Sequence, residues 1–168
     1  MAKAQVERQL DIVIETAFSA VEPFGFKKQG NRSRRLADGN AAIVEFQRSV
    51  GSNADEILFT LNVGVVSGRL LEGKSPAKAG TIDAQLRMRL GDFLSEPHDK
   101  WWIVGESTPV GLVAAEVTKL LLEAAVPFLL AHATDDSLAV LWKTRQSPGL
   151  TSRQRDRYLA QLSAQAAS

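Results

Sequence analysis

The stretch that decides the fold is ILFTLNVGVV, residues 57–66, where polar or small side chains alternate with apolar ones from Phe59 to Val65. Successive side chains of a strand point to opposite faces, so the alternation predicts a β-strand with one apolar and one polar face. Residues 41–50 have a similar composition, and a cluster of Gly, Ser, Asn and Asp separates the two stretches. The sequence therefore predicts two antiparallel strands.

Other elements extend outward from this pair. A Gly30-Asn31 turn predicts a short hairpin over residues 26–36. Further strands are expected over residues 85–90, where a helix is the alternative, and over residues 101–104. Four helical segments are predicted, over residues 3–21, 108–125, 135–142 and 152–164. Pro127 should kink or restart the second one, because proline removes a helical hydrogen bond.

These elements predict an α+β fold: an antiparallel sheet of about five strands, a mixed sheet being the alternative, with helices packed on one face. The chain of 168 residues fits one domain, residues 1–168. Within residues 150–168, Thr151 and Gln154 have the spacing of a capping box at the start of the last helix. The apolar side of this helix is thin, so we expect it to be peripheral or to contact a second copy in a homodimer.

Composition excludes several classes of protein. Lys and Arg total 20 against 19 for Asp and Glu, so the net charge of +1 argues against a protein that binds nucleic acid over its whole surface. Without cysteine there is no disulfide framework and no zinc thiolate site, which suits the cytoplasm. The most apolar stretch, residues 120–131, is too short to cross a bilayer, and no uninterrupted signal-type segment occurs near residue 1. We therefore expect a cytoplasmic protein that does not enter the membrane.

Five short motifs occur in an order typical of one family: Gly25-Phe26-Lys27-Lys28, Val44-Glu45-Phe46-Gln47, Leu61-Asn62-Val63-Gly64, Arg89-Leu90-Gly91 and Trp101-Trp102. On these motifs the chain resembles the domain of unknown function 4304 family over roughly residues 6–130. The resemblance implies an α+β fold. It implies no catalytic residue, since the family has no established activity.

The polar face of the predicted sheet is the first candidate site. It carries a band of hydrogen-bonding side chains on neighbouring strands: Glu45, Gln47, Asn62, Arg87 and Arg89. A sheet with helices on one side shows a polar face to water in any case, and that is the plain alternative. However, Asn, Gln and Arg are suited to specific hydrogen bonds, and Arg to bidentate contact with carboxylate or phosphate. We therefore predict that this face binds another protein or a small anionic ligand.

Two further features suggest binding. Trp101 and Trp102 are adjacent in a strand, so they point to opposite faces and cannot both enter one core. One of them is either an exposed interface anchor or covered by the loop of residues 67–80 or by the last helix. The hairpin carries five basic residues without an acidic one, namely Lys27, Lys28, Arg32, Arg34 and Arg35. This basic patch supports the alternative that the protein binds nucleic acid or another anion locally.

Evidence for an enzyme is slight. His98 lies among Asp92, Glu96 and Asp99, which leaves a hydrolase or a metal-dependent enzyme as a further alternative, yet the spacing fits no established metal motif. No phosphate-binding loop and no nucleophile elbow occurs. The sequence therefore predicts no catalytic residue, no metal ligand and no cofactor.

Overall fold

The structure, a computed structural model, describes residues 2–145 and 147–166. The strands are β1 (Lys27–Gln29), β2 (Arg32–Ala37), β3 (Asn40–Arg48), β4 (Glu56–Ser67), β5 (Leu86–Arg89) and β6 (Trp102–Gly105). The helices are α1 (Ala2–Val21), α2 (Val110–Leu120), α3 (Val126–Ala131), α4 (Asp135–Lys143) and α5 (Ser152–Ala166). Residues 167 and 168 of the predicted terminal region lie outside the described residues.

All described strand pairs are antiparallel, which confirms the predicted α+β fold with an antiparallel sheet rather than a mixed one. The order is β1-β2-β3-β4-β5, and β6 also pairs with β4. Strand β4 has 12 residues, long enough for β5 to pair with residues 62–65 and β6 with residues 56–59 along the same edge. Strand β4, which contains residues 57–66, is therefore the centre of the sheet.

The main core lies between the helices and the inner face of the sheet. Alternate residues of β4 point into it, and all of them are buried: Ile57, Phe59, Leu61, Val63 and Val65. The apolar stripe of α1 packs against them, from Val6 to Val21. A row of aromatic rings crosses this core from Phe18 through Phe46 and Phe59 to Trp102, with centroids 5.3, 5.6 and 6.1 Å apart. Such contacts add to the stabilisation from apolar burial.

The helix before Pro127 is irregular, as predicted. A π-helical turn, Leu121–Ala125, joins α2 to α3 and places proline near the start of α3, where it needs no helical hydrogen bond. The predicted start at Thr108 is wrong in detail. The Thr108 hydroxyl accepts a hydrogen bond from the Gly105 N–H instead of capping the helix, which begins at Val110.

Helix α5 begins with the predicted reciprocal cap between Thr151 and Gln154. Its thin apolar side packs within the chain: Leu162 is buried, and the ring of Tyr158 lies 5.4 Å from that of Trp142 on α4. These contacts occupy the apolar residues that suggested an oligomer contact. A homodimer stays a prediction. Among the described residues, no helix combines the length and the apolar character that crossing a membrane requires.

Part of the outer face of the sheet is covered by another segment of the chain. Residues 68–85, which we call the covering segment, fold back over β3 and β4 and bury a second apolar cluster, consisting of Ala41, Ile43, Val66 and Ala79. Gly64 permits the contact, because a Cβ atom there would lie 2.7 Å from the Leu86 carbonyl oxygen and 2.8 Å from the Cβ of Ala84. We call the outer face around Ala41, Ile43, Gly64 and Val66 the covered half.

Candidate binding site on the outer face of the sheet

The remaining outer face, which we call the open half, includes most of the predicted polar band. Strand register places Arg32 opposite Glu45, Glu45 opposite Asn62, and Asn62 opposite Arg89, so one row of polar side chains crosses four strands. Because residues two apart on a strand share a face, Gln47 and Arg87 belong to the same surface. The structure thus brings the predicted residues onto one face.

Both carboxylate oxygens of Glu45 are engaged, one with the covering segment and the other with β2. Its Oε1 accepts hydrogen bonds from the Thr81 backbone N–H at 2.9 Å and from the Thr81 hydroxyl at 2.8 Å. Its Oε2 accepts one from the Arg32 guanidinium at 3.1 Å. Burial alone would raise the pKa of Glu45, but these hydrogen bonds outweigh it and the pKa lies below its ordinary value. Glu45 thus marks the border between the two halves.

A depression of about 450 Å³ lies beside this border. It is lined by Asn31, Arg32, Glu45, Phe46, Gln47, Arg48, Asn62, Thr81, Ile82 and Arg87. Two of the three arginines already have partners, since Arg32 is bonded to Glu45 and Arg48 forms two hydrogen bonds of 2.9 and 2.6 Å with Glu7 of α1. The lining therefore carries an excess of positive charge.

Arg87 is the arginine that supplies this excess. Its side chain is exposed and has no hydrogen bond or ion pair with any residue that the structure describes. A guanidinium has five N–H donors in a planar fork, which fits a carboxylate or phosphate bidentately. Arg87 is therefore available to an anion that enters the depression.

The floor of the depression contains an unusual amide. Asn62 is only 3% exposed, and its Nδ2 donates a hydrogen bond of 2.7 Å to Oε1 of Gln47. Its Oδ1 is buried and accepts no hydrogen bond from any part of the chain that the structure describes. A buried acceptor without a donor costs free energy, so its presence on the floor of the depression calls for an explanation.

The side chains of Trp101 and Trp102 lie on opposite faces of the sheet, as predicted. Trp102 is buried in the core, whereas Trp101 is partly exposed on the outer side. Arg89 stacks 5.2 Å from the centre of the Trp101 ring and forms a 2.6 Å ion pair with Asp99. The hydrogen bond from Arg89 is the main reason that the pKa of Asp99 is lowered. Arg89 and Trp101 thus form a cluster of their own beside the depression rather than in its lining.

The basic patch is divided between the two faces of the sheet. On the helix side, Lys28 pairs with Glu15, and Arg35 donates to the Phe24 carbonyl oxygen at 3.1 Å. On the outer side, Arg34 is only 8% exposed and donates to the Ala79 carbonyl oxygen at 2.7 Å. Burial, reinforced by the charge of Arg32, lowers the pKa of Arg34. Of the remaining two, Arg32 lines the depression and Lys27 is exposed.

The loop around His98 does not form a cluster of ligands. The Nδ1 of His98 lies 2.8 Å from the carbonyl oxygen of Glu96, Asp92 accepts from the Arg89 backbone N–H, and Asp99 pairs with the Arg89 side chain. Within residues 2–145 and 147–166, no three His, Asp or Glu side chains come close enough together to hold a metal ion.

Sequence reasoning missed several lining residues. Thr81 and Ile82 belong to the covering segment, and nothing in their local sequence connects them with β3. Asn31 lies in the first hairpin turn, and Arg48 ends β3 with its guanidinium on Glu7. The one signal in the sequence is that Ala41, Ile43 and Val66 are apolar although they lie on the outer face of β3 and β4. Apolar residues at these positions indicate that another segment covers them.

The fold and this face define a small two-layer α+β protein with a polar depression on the side opposite its helices. The chain belongs to the family called domain of unknown function 4304, whose model matches residues 19–131. The match includes all six described strands and every residue that lines the depression. No curated protein and no solved structure matches the chain.

Proposed function

We propose that the protein is a non-enzymatic binding domain that holds an anionic group, carried by a small ligand or by a partner protein, in the open half of its sheet. The observation that carries the proposal is the guanidinium of Arg87, which has no partner among the residues that the structure describes and lies beside the amides of Gln47 and Asn62. The depression of about 450 Å³ is of the size that small-molecule sites have. The lack of cysteine favours a cytoplasmic location.

The charge balance supports an anion as the bound group. The pairs between Arg32 and Glu45 and between Arg48 and Glu7 neutralise four of the charges at the site. Arg87 adds a fifth charge with no counterion among the described residues. An anion that reaches Arg87 would form charge-assisted hydrogen bonds, which are about twice as strong as neutral ones.

The alternative, nucleic-acid binding through the basic patch, has less support. Lys28 and Arg35 contact α1 and the turn after it, and Arg34 is buried under the covering segment. A phosphate backbone needs several accessible cations on one surface. Such binding would weaken steeply as salt is raised and would shift the amide resonances of Lys27 and Lys28.

The test is a titration of ¹⁵N-labelled protein with succinate and, separately, with inorganic phosphate. We expect shifts at Gln47, Asn62 and Arg87, and an affinity that falls about tenfold or more in Arg87→Ala because a charge-assisted bidentate contact is lost. Arg8→Ala is the matched control, since Arg8 is an exposed arginine on α1, on the other side of the sheet. The proposal fails if neither anion binds, or if Arg87→Ala and Arg8→Ala bind equally well.

A further inference from the structure

The buried oxygen of Asn62 distinguishes this depression from a plain anion site. Asn62 Oδ1 is the acceptor that no described residue satisfies, while Nδ2 of the same amide is held by Gln47. A carboxylate cannot satisfy Oδ1, because an ionised carboxylate offers only acceptors. The site therefore calls for a hydrogen-bond donor in addition to a negative charge.

The donor and the anion would be close together. Arg87 pairs with Gly64, and Asn62 lies two residues from Gly64 on the same face of β4. Side chains in this diagonal relation have Cβ atoms about 7 Å apart, and the guanidinium can reach across that gap. One small molecule can therefore contact both groups.

We infer that the ligand of the open half is a small carboxylic acid with a hydroxyl or N–H group directly beside its carboxylate. This inference rests on the proposed function. The carboxylate accepts from the Arg87 fork and from Nε2 of Gln47, whose Oε1 is already used by Asn62. The neighbouring hydroxyl or N–H donates to Oδ1 of Asn62. Ile82 on the rim, 78% exposed, offers an apolar surface to the rest of the molecule.

Succinate and malate test the inference, because they differ by one hydroxyl group beside a carboxylate. We expect the better-bound enantiomer of malate to bind the wild-type protein about threefold to tenfold more tightly than succinate, the value of one hydrogen bond to a buried acceptor. Asn62→Leu, which is nearly isosteric and lacks the acceptor, should bind both acids equally. Arg87→Ala should weaken both acids by the same factor and keep the preference for malate.

The ratio of the two affinities is measured on one sample, so partial unfolding of a variant does not alter it. Asn62→Ala replaces Asn62→Leu if the latter does not fold. Equal binding of succinate and malate to the wild type overturns the inference and leaves the proposed function standing. A preference that survives both Asn62 variants, or tighter binding of inorganic phosphate than of either acid, also overturns the inference. No binding of any probe overturns the proposed function itself.

Discussion

The covered half and the open half of the outer face lie on the same strands, yet they differ in what faces them. In the covered half, Ile43 and Val66 are fully buried beneath the covering segment. In the open half, the side chains of Gln47 and Arg87 line a depression instead. One part of this sheet face thus serves as a second core, whereas another part stays open and lines a polar depression.

The border between the halves depends on one carboxylate. Glu45 lies two residues from Ile43 on the same face of β3, and it holds Thr81 at the end of the apolar contact. Arg34 supports the same segment from β2 through the Ala79 carbonyl oxygen. Because both oxygens of Glu45 are engaged by Thr81 and Arg32, the charge of Glu45 would repel the anion that we propose less than a free carboxylate would.

The largest change in the free energy of unfolding is expected from a substitution in the covered half. We expect Ile43→Ala to lower the free energy of unfolding by about 2–5 kcal/mol, because it empties part of a fully buried site. Arg87→Ala, on the same face in the open half, should change it by no more than about 0.5 kcal/mol, since the side chain is exposed. Urea unfolding followed by circular dichroism measures both. Equal effects of the two variants would break the distinction between the halves.

A smaller change in the free energy of unfolding is expected from a substitution of Glu45 at the border, and this change depends on pH. The folded-state pKa of Glu45 lies below its ordinary value near 4.5, so its contribution to stability is complete above that value and is lost as the pH falls through the folded-state pKa. Glu45→Gln should therefore cost about 1 kcal/mol at neutral pH, the difference between a charged and a neutral acceptor. This cost should shrink in acid.

Urea unfolding of wild type and Glu45→Gln at matched pH values is the measurement. The difference between the two curves isolates Glu45 from other carboxylates with lowered pKa values, such as Glu7 and Asp99. A cost that stays constant through the acid range would show that the charge of Glu45 does not hold the covering segment.

Much of the fold follows from periodicity in the sequence. The alternation along β4 predicts its inner face, and the adjacent tryptophans are divided between core and surface because a strand alternates. Pro127 predicts the irregular turn before α3, since its effect on the helix is local. These predictions succeed because each depends on residues that are near one another in the chain.

The division of the outer face could not be predicted in the same way. The hydrogen bond between Thr81 and Glu45 joins residues 36 positions apart. The hydrogen bond from Arg34 to the Ala79 carbonyl oxygen spans 45 positions. No local pattern encodes such contacts. The outer positions of Ala41, Ile43 and Val66 do carry a signal, since three apolar residues on a polar face indicate that something covers them. That signal identifies the covered half but not the segment that covers it.

The most direct test of the two halves uses the absence of cysteine from the chain, which allows a single thiol to be placed on either half. Val66→Cys is close in volume and lies in the covered half, and Gln47→Cys lies in the open half. We predict that a thiol reagent labels Cys at position 47 at least about a hundredfold faster, because position 66 reacts only when the covering segment opens. Similar rates at the two positions, whether both fast or both slow, would contradict the account.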